Sequence, residues 1–288
     1  MVKVSEHSSD VKNHLVFICD VSPPRGPDSA YLERTKDLGV DFISVAYNVG
    51  KSVRVDSSAA AYDLKRHTGI ETVFNLATRD MNKLALQSHL MGAAALGLEN
   101  VIVLRGDDFN ERELSMVQAV QDFTPTDLIV SIKQLNQGVD YRGVKFRTPT
   151  DFCVGATVDL GREVQQEAGL ARRKVVAGAD FLITQSIYDV TRASQFLESY
   201  EALAGEPLTI PVYYGLQVLE RDGIIFGDVP QTMKDDLDKG RPGVDIALEL
   251  LRSFLDQGYA NIYLIPPILK GGVRDYEAAG KLVQASKK

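Results

Sequence analysis

Lys174-Val175-Val176-Ala177-Gly178-Ala179-Asp180-Phe181-Leu182-Ile183-Thr184-Gln185 holds, in twelve residues, the unit from which the chain is built. A helical pattern ends at Gly178, two residues turn the chain, and an apolar run follows that closes on a polar side chain. Glycine just past a helix supplies the left-handed C-cap. A short apolar run without polar alternation is what a strand covered on both faces requires. The same return is written at Leu38-Gly39-Val40-Asp41, Leu96-Gly97-Leu98-Glu99 and Gln257-Gly258-Tyr259-Ala260.

Strand-type runs occur at 15–19, 42–46, 72–77, 100–104, 152–156, 181–184, 210–214 and 261–265, with helical patterns between them, for example at 56–67, 81–95, 163–177 and 244–257. Eight strands alternating with helices predict an α/β protein, a (β/α)8 TIM barrel forming one domain over 1–288, with 1–13 as a polar N-terminal tail. Periodicity alone also permits an open doubly wound sheet. No G-x-G-x-x-G follows an early strand, which weakens the dinucleotide-binding version of that sheet. Two polar segments, 138–150 and 223–241, are expected to fold over the C-terminal face.

The 288 residues are 44% hydrophobic and 25% charged, an ordinary globular balance. A net charge of −7 with no basic run argues against a sequence-independent grip on nucleic acid, but leaves room for a local basic pocket for a phosphate or carboxylate. Cys19 and Cys153 lie far apart and show no metal-ligand spacing, and two cysteines make no disulfide framework. No signal-peptide core and no run of about 20 apolar residues is present, so a soluble cytoplasmic protein with no membrane partner is expected. His7 and His14 precede strand one, His67 ends a helix and His89 lies inside one; none has the spacing of a metal pair. A serine-nucleophile elbow is absent.

Active sites of this fold form where the strands end. There the chain places Asp20 with Ser22-Pro23-Pro24-Arg25-Gly26, then Tyr47 and Asn48, Thr78-Arg79-Asp80, Arg105-Gly106-Asp107-Asp108, Gln185 and, a little further on, Gln217. Asp20 and Asp107 fall on opposite sides of the mouth, and a buried carboxyl there is suited to general-acid work. Either would serve equally well as a helix or turn cap, and Asp108 reads as a cap or solvated residue. Gln185 offers a donor and an acceptor to the edge of a pterin-like heterocycle, or simply satisfies its own loop.

Taken together these residues resemble the methylenetetrahydrofolate reductase family. The likeness runs through Asp20-Val21-Ser22-Pro23-Pro24-Arg25, Ile43-Ser44-Val45-Ala46-Tyr47-Asn48, Thr78-Arg79-Asp80, Leu86-Gln87-Ser88-His89-Leu90, Leu104-Arg105-Gly106-Asp107, 174–185 and Tyr263-Leu264-Ile265-Pro266-Pro267, in order and across nearly the whole chain. It looks closest to the type fused to homocysteine methyltransferase domains, a second domain for which this chain is too short. The resemblance implies a flavin, usually FAD, at the strand ends, reduced by NADH or NADPH. Folate binds next, and hydride passes to the methylene carbon of 5,10-methylenetetrahydrofolate, a step of one-carbon metabolism that feeds methionine biosynthesis.

By the same resemblance Asp20 is the general acid, Asp107 favours the cationic iminium form of the substrate, and Gln185, with Gln217, holds the folate. Tyr47, Asn48, Asn75, Arg105, Gly106, Asp107 and Lys174 fall at the cofactor, and a homo-oligomer is implied. Three departures stand out. Asp20 replaces a glutamate and loses about 1.5 Å of reach. Asn75 occupies a position often filled by histidine. Residues 157–169 lack the family's usual Tyr-Pro-Glu-x-His pattern. Two other readings remain open: a flavin-free pterin-binding barrel that passes a methyl group to a partner, and a degenerate regulatory protein that binds folate or flavin.

Overall fold

The computed structural model describes residues 2–7 and 15–287; His14 and most of the expected tail lie outside these. Eight parallel strands close into a barrel in sequence order, β1 (Val16–Val21), β2 (Phe42–Val45), β3 (Glu71–Ala77), β4 (Asn100–Leu104), β5 (Cys153–Val158), β6 (Phe181–Ser186), β7 (Val212–Gln217) and β8 (Asn261–Ile265). β8 pairs back onto β1, Val16 opposite Asn261. The helices are α1 (Val4–His7), α2 (Ala30–Thr35), α3 (Ser57–Thr68), α4 (Lys83–Ala95), α5 (Glu111–Leu114), α6 (Pro125–Asn136), α7 (Val164–Val176), α8 (Thr191–Ala204), α9 (Gln231–Asp238), α10 (Gly243–Asp256) and α11 (Tyr276–Ser286). The expected (β/α)8 barrel is thus the observed one. Gly39, Gly97, Gly178 and Gly258 all have positive φ, at 65°, 75°, 105° and 80°, as the four helix-to-strand returns require. No helix among the described residues is long and apolar enough to cross a membrane.

Side-chain alternation along each strand divides the core in two. Phe17, Cys19, Val21, Phe74, Leu76, Val101 and Val103 face outward and pack beneath the helices. Val16, Ile18, Phe42, Val73, Ile102, Cys153, Phe181, Ile183, Tyr213 and Tyr263 face inward and fill the barrel. The parity carries upward to the mouth. Asp20 continues the inward series of Val16 and Ile18, Ser44 that of Phe42, and Asn75 that of Val73.

Within the expected polar tail, residues 4–7 are helical. α1 sends Val4, fully buried, into the inward-facing cluster. The Val4 N–H donates to Asn100 Oδ1 at 3.0 Å, and Tyr213 Oη donates to the Val4 carbonyl at 3.3 Å. This placement closes the barrel opposite the mouth.

The segment 138–150 also departs from expectation. It connects α6 to β5, so it lies where strands begin rather than over the C-terminal face. It folds back on the end of α6, with Phe146 N–H on the Gly138 carbonyl and Thr150 N–H on the Leu135 carbonyl. Polarity marked it as a loop; only the order helix-then-strand decides which end it covers. In contrast, the start of 223–241 does reach the mouth, through Phe226.

Candidate active site at the barrel mouth

A cavity of about 160 Å³ opens at the strand ends, lined by Asp20, Asn75, Leu104, Thr157, Ile183, Thr184, Gln185, Phe226, Tyr263, Ile265 and Arg274. Small-molecule pockets commonly enclose roughly 300–1,000 Å³. This one therefore takes the end of a ring system and leaves the rest of a ligand over the rim.

The floor is a polar chain across four neighbouring strands. Arg274 Nη2 lies 2.7 Å from Asp20 Oδ2, and the two side chains are 5% and 9% exposed. Tyr263 Oη lies 3.2 Å from Asp20 Oδ1 and 3.2 Å from Ser44 Oγ, which lies 3.2 Å from Asn75 Oδ1. A phenol has one proton, and a carboxylate is the stronger acceptor, so that proton goes to Asp20. Burial, and then the Asp20 charge, push Tyr263 ionisation well above that of a free phenol, so it stays a donor. Both Asp20 oxygens thus face protein partners. Arg274 is fixed in turn by Ser22 Oγ, 3.1 Å from Nε. A hairpin beyond β8, closed by Leu269 N–H on the Val273 carbonyl and an Ile268–Arg274 bridge, carries Arg274 back over the mouth.

Gln185, inward-facing near the end of β6, sits exposed at the rim of this cavity. A register shift between β6 and β7 presents it there, and Gly215 makes the shift possible: a Cβ on Gly215 would lie 2.4 Å from the Gln185 carbonyl oxygen. Asn75 lines the cavity wall. Gln217 has another position: it is 1% exposed, its Nε2 donates to the Ile224 carbonyl at 2.8 Å, and its Oε1 accepts from Phe226 N–H at 2.9 Å and from Tyr188 Oη at 3.3 Å. Its amide holds the segment that delivers Phe226, and contact between Gln217 and a ligand requires that segment to open.

The opposite edge of the mouth is more open. Arg79 forks onto Asp80 at 2.6 and 2.8 Å, donates to the Asp107 carbonyl at 2.6 Å and lies over the Phe109 ring at 4.1 Å. Tyr47 joins this group: burial, then the Asp80 charge and hydrogen bond, raise its ionisation. The ends of β2, β3 and β4 are thereby tied together. Gly106 adopts φ +85°, and a Cβ there would press on Arg79 Cβ at 3.3 Å. Asn48 also has positive φ, 37°, at the turn after β2. Lys51 reaches across to Glu113 at 2.6 Å and to the Asp108 carbonyl at 3.1 Å. The side chains of Arg105, Asp107 and Asp108 are exposed, Arg105 pairing with Asp108 at 2.8 Å. Asp107 is not part of the cavity wall, so the structure does not bring it together with Asp20. Lys174, half-buried on α7, donates to the Thr157 carbonyl at 2.5 Å, and burial lowers its pKa.

Tyr263, Ser44, Phe226 and Arg274 were not picked out as site residues from sequence. Strand parity identifies Ser44, the one polar residue of β2. Tyr263 sits within the resembling stretch of β8. Arg274 has no local signal, since it lies nine residues past β8 on the return arm of a hairpin.

A buried carboxylate on the floor of a cavity at the mouth, with an amide at its rim, defines the class: a (β/α)8 barrel with a small polar cavity at its strand ends. Residues 5–266 match methylenetetrahydrofolate reductase, and the chain belongs to that family. It is 25% identical over 284 residues to a "Probable methylenetetrahydrofolate reductase (NADPH)" of Caenorhabditis elegans, covering 90% of this chain and 41% of that protein. It is 22% identical over 287 residues to a "Probable methylenetetrahydrofolate reductase (NADH)" of Oryza sativa subsp. japonica, covering 91% and 47%. The chain therefore spans less than half the length of these relatives. Among solved structures, an uncharacterized protein from Clostridium thermocellum that binds two copies of 5-methyl-5,6,7,8-tetrahydrofolic acid aligns with a TM-score of 0.66 at 12% identity, over 96% of both chains. At that identity the likeness is one of fold.

Proposed function

We propose that the protein is a flavin-dependent 5,10-methylenetetrahydrofolate reductase using NADH or NADPH. The observation that carries this reading is the buried Asp20–Tyr263 pair on the floor of a ring-sized cavity with Gln185 at its rim, in a barrel of this family. Gln185 reads the pterin edge, and Asn75 flanks it. A proton taken up by Asp20 reaches the substrate through Tyr263, whose hydroxyl donates on the cavity side as it accepts from Asp20, which returns to the carboxylate. This contact offsets the methylene that Asp20 lacks relative to glutamate. Phe226, held by Gln217, covers the bound ring and excludes water. The two cysteines, both free and buried, suit a reducing cytoplasmic compartment.

The residues at the open edge fit a flavin ring. Gly106, at φ +85°, lets the chain turn close against Arg79, and Tyr47, Asn48, Arg105 and Asp107 lie on the loops of that edge, with the Arg105 and Asp107 side chains exposed. FAD, when bound, supplies the hydride. The fit is weaker at the phosphate end, because Lys174 is turned onto the Thr157 carbonyl. That one contact favours a second reading, a flavin-free barrel that binds a pterin and passes on its methyl group.

Anaerobic stopped-flow absorbance separates the two. The FAD-reconstituted protein is mixed with NADH and then with methylenetetrahydrofolate. Bleaching followed by folate-dependent reoxidation is expected. A protein that takes up no flavin, or whose reduced flavin ignores the folate, moves the weight to the second reading.

A further inference from the structure

Behind the mouth, between the loop after β1 and the hairpin after β8, lies a second pocket of about 230 Å³. Arg25, Arg34, Arg54 and Arg274 line it, with Tyr31 and Asp28. Four guanidinium groups around one small pocket are unusual on a chain whose net charge is −7. Arg274 is neutralised by Asp20. Arg25 and Arg34 have no ion-pair partner among the described residues, and Arg54 contacts only the carbonyls of Pro23 and Val49. Asp28 turns its Oδ1 to the Ala30 N–H at the start of α2. The pocket thus carries an excess of positive charge with one carboxylate to offset it. Burial lowers the pKa of Arg54, and the neighbouring charges of Arg25 and Arg274 add to it.

Two further atoms point the same way. Tyr31 is 4% exposed and Arg274 is 7% exposed, and neither the Tyr31 hydroxyl nor Arg274 Nη1 has a hydrogen-bond partner. Leaving a buried donor unsatisfied is unfavourable, more so for a charged one. Crowded like charges and unpaired buried donors are both relieved by the same thing, an anion with several acceptor oxygens.

We propose that this pocket is an oxyanion-binding site, taking the phosphate or carboxylate group of a small anionic ligand. It is separate from the mouth cavity but shares Arg274 with it, whose Nη2 holds Asp20 while Nη1 remains unpaired. The proposal stands whichever reaction runs at the mouth.

The test is isothermal titration of the intact protein with inorganic phosphate and, separately, with glutarate, at low ionic strength. The same titrations are run on an Arg25→Gln/Arg34→Gln variant and on Arg252→Gln, an exposed arginine of α10 outside the pocket. Arg25 and Arg34 are exposed, so their substitution leaves the core intact. Wild type and Arg252→Gln are expected to bind alike, with the double variant roughly tenfold or more weaker. Tighter binding of phosphate assigns the site to a phosphate-bearing ligand, and tighter binding of glutarate to a carboxylate; either supports it. Binding of neither anion by the wild type, or equal binding by the double variant, overturns the proposal.

Discussion

On the β8–β1 side of the mouth, Arg274 and Asp20 meet at 2.7 Å with side chains 5% and 9% exposed; on the β4 side, Arg105 and Asp108 meet at 2.8 Å with side chains 68% and 78% exposed. Chemistry and distance are nearly the same, yet the surroundings make them different interactions. In water, the second pair trades solvation for little gain. In the barrel, each partner of the first would be left as an uncompensated buried charge without the other. The buried side holds its groups in one orientation, and the exposed side leaves its groups open to solvent.

The largest expected effect is on turnover. Asp20→Asn keeps an acceptor for Tyr263 but removes the acid, and should slow the folate half-reaction by about 10²–10⁴-fold while NADH still reduces the flavin. Stopped-flow traces that lose both half-reactions together would remove Asp20 from proton transfer. Next, Arg274→Met should lower stability by about 3–5 kcal/mol, because Asp20 is stranded. Urea unfolding reads this directly, and a loss under about 1 kcal/mol would show that water reaches the pair.

Gln217→Leu is the intermediate case. It strips the anchors of Ile224 and Phe226 and should cost about 1–3 kcal/mol. If Phe226 covers the ligand, folate KM should also rise more than flavin reduction slows. An unchanged KM would confine Gln217 to a structural role. The smallest effect belongs to Arg105→Ala, expected to change stability by less than about 1 kcal/mol. A larger loss would show that the open edge is organised after all.

Alkaline pH sharpens the same contrast. Tyr263 and Tyr276, on the buried side, both have ionisation raised, mainly by burial. Their stabilisation is complete below the unfolded tyrosine value of about 10 and is lost as pH climbs above it. Stability should therefore fall on the alkaline side, and Tyr263→Phe should lessen the fall.

Much of this arrangement is legible in the chain. Gly39, Gly97, Gly178 and Gly258 mark helix-to-strand returns because a left-handed residue is needed there and glycine adopts it without strain. β4 and β8 begin and end where their apolar runs do, at Asn100–Leu104 and Asn261–Ile265. Other strands run further than hydrophobicity alone suggests. β6 extends through Gln185 and Ser186, and β7 through Gln217, because strand pairing at the mouth continues past the last apolar residue. Asp20 and Gln185, flagged at strand ends, line one cavity together with Asn75, which the family resemblance pointed to; Asp107, flagged at a strand end too, stands outside it.

Local order in the sequence determined the strand count, the alternation of strands with helices and some of the polar residues at the strand ends, because helix caps and apolar runs act between near neighbours. Which of those residues work together was decided only by closure of the barrel. Closure sets β8 beside β1, and a hairpin past the last strand brings Arg274 onto Asp20, 254 residues away in the chain. No local pattern records a contact of that separation, since it exists only when the sheet has joined its own ends.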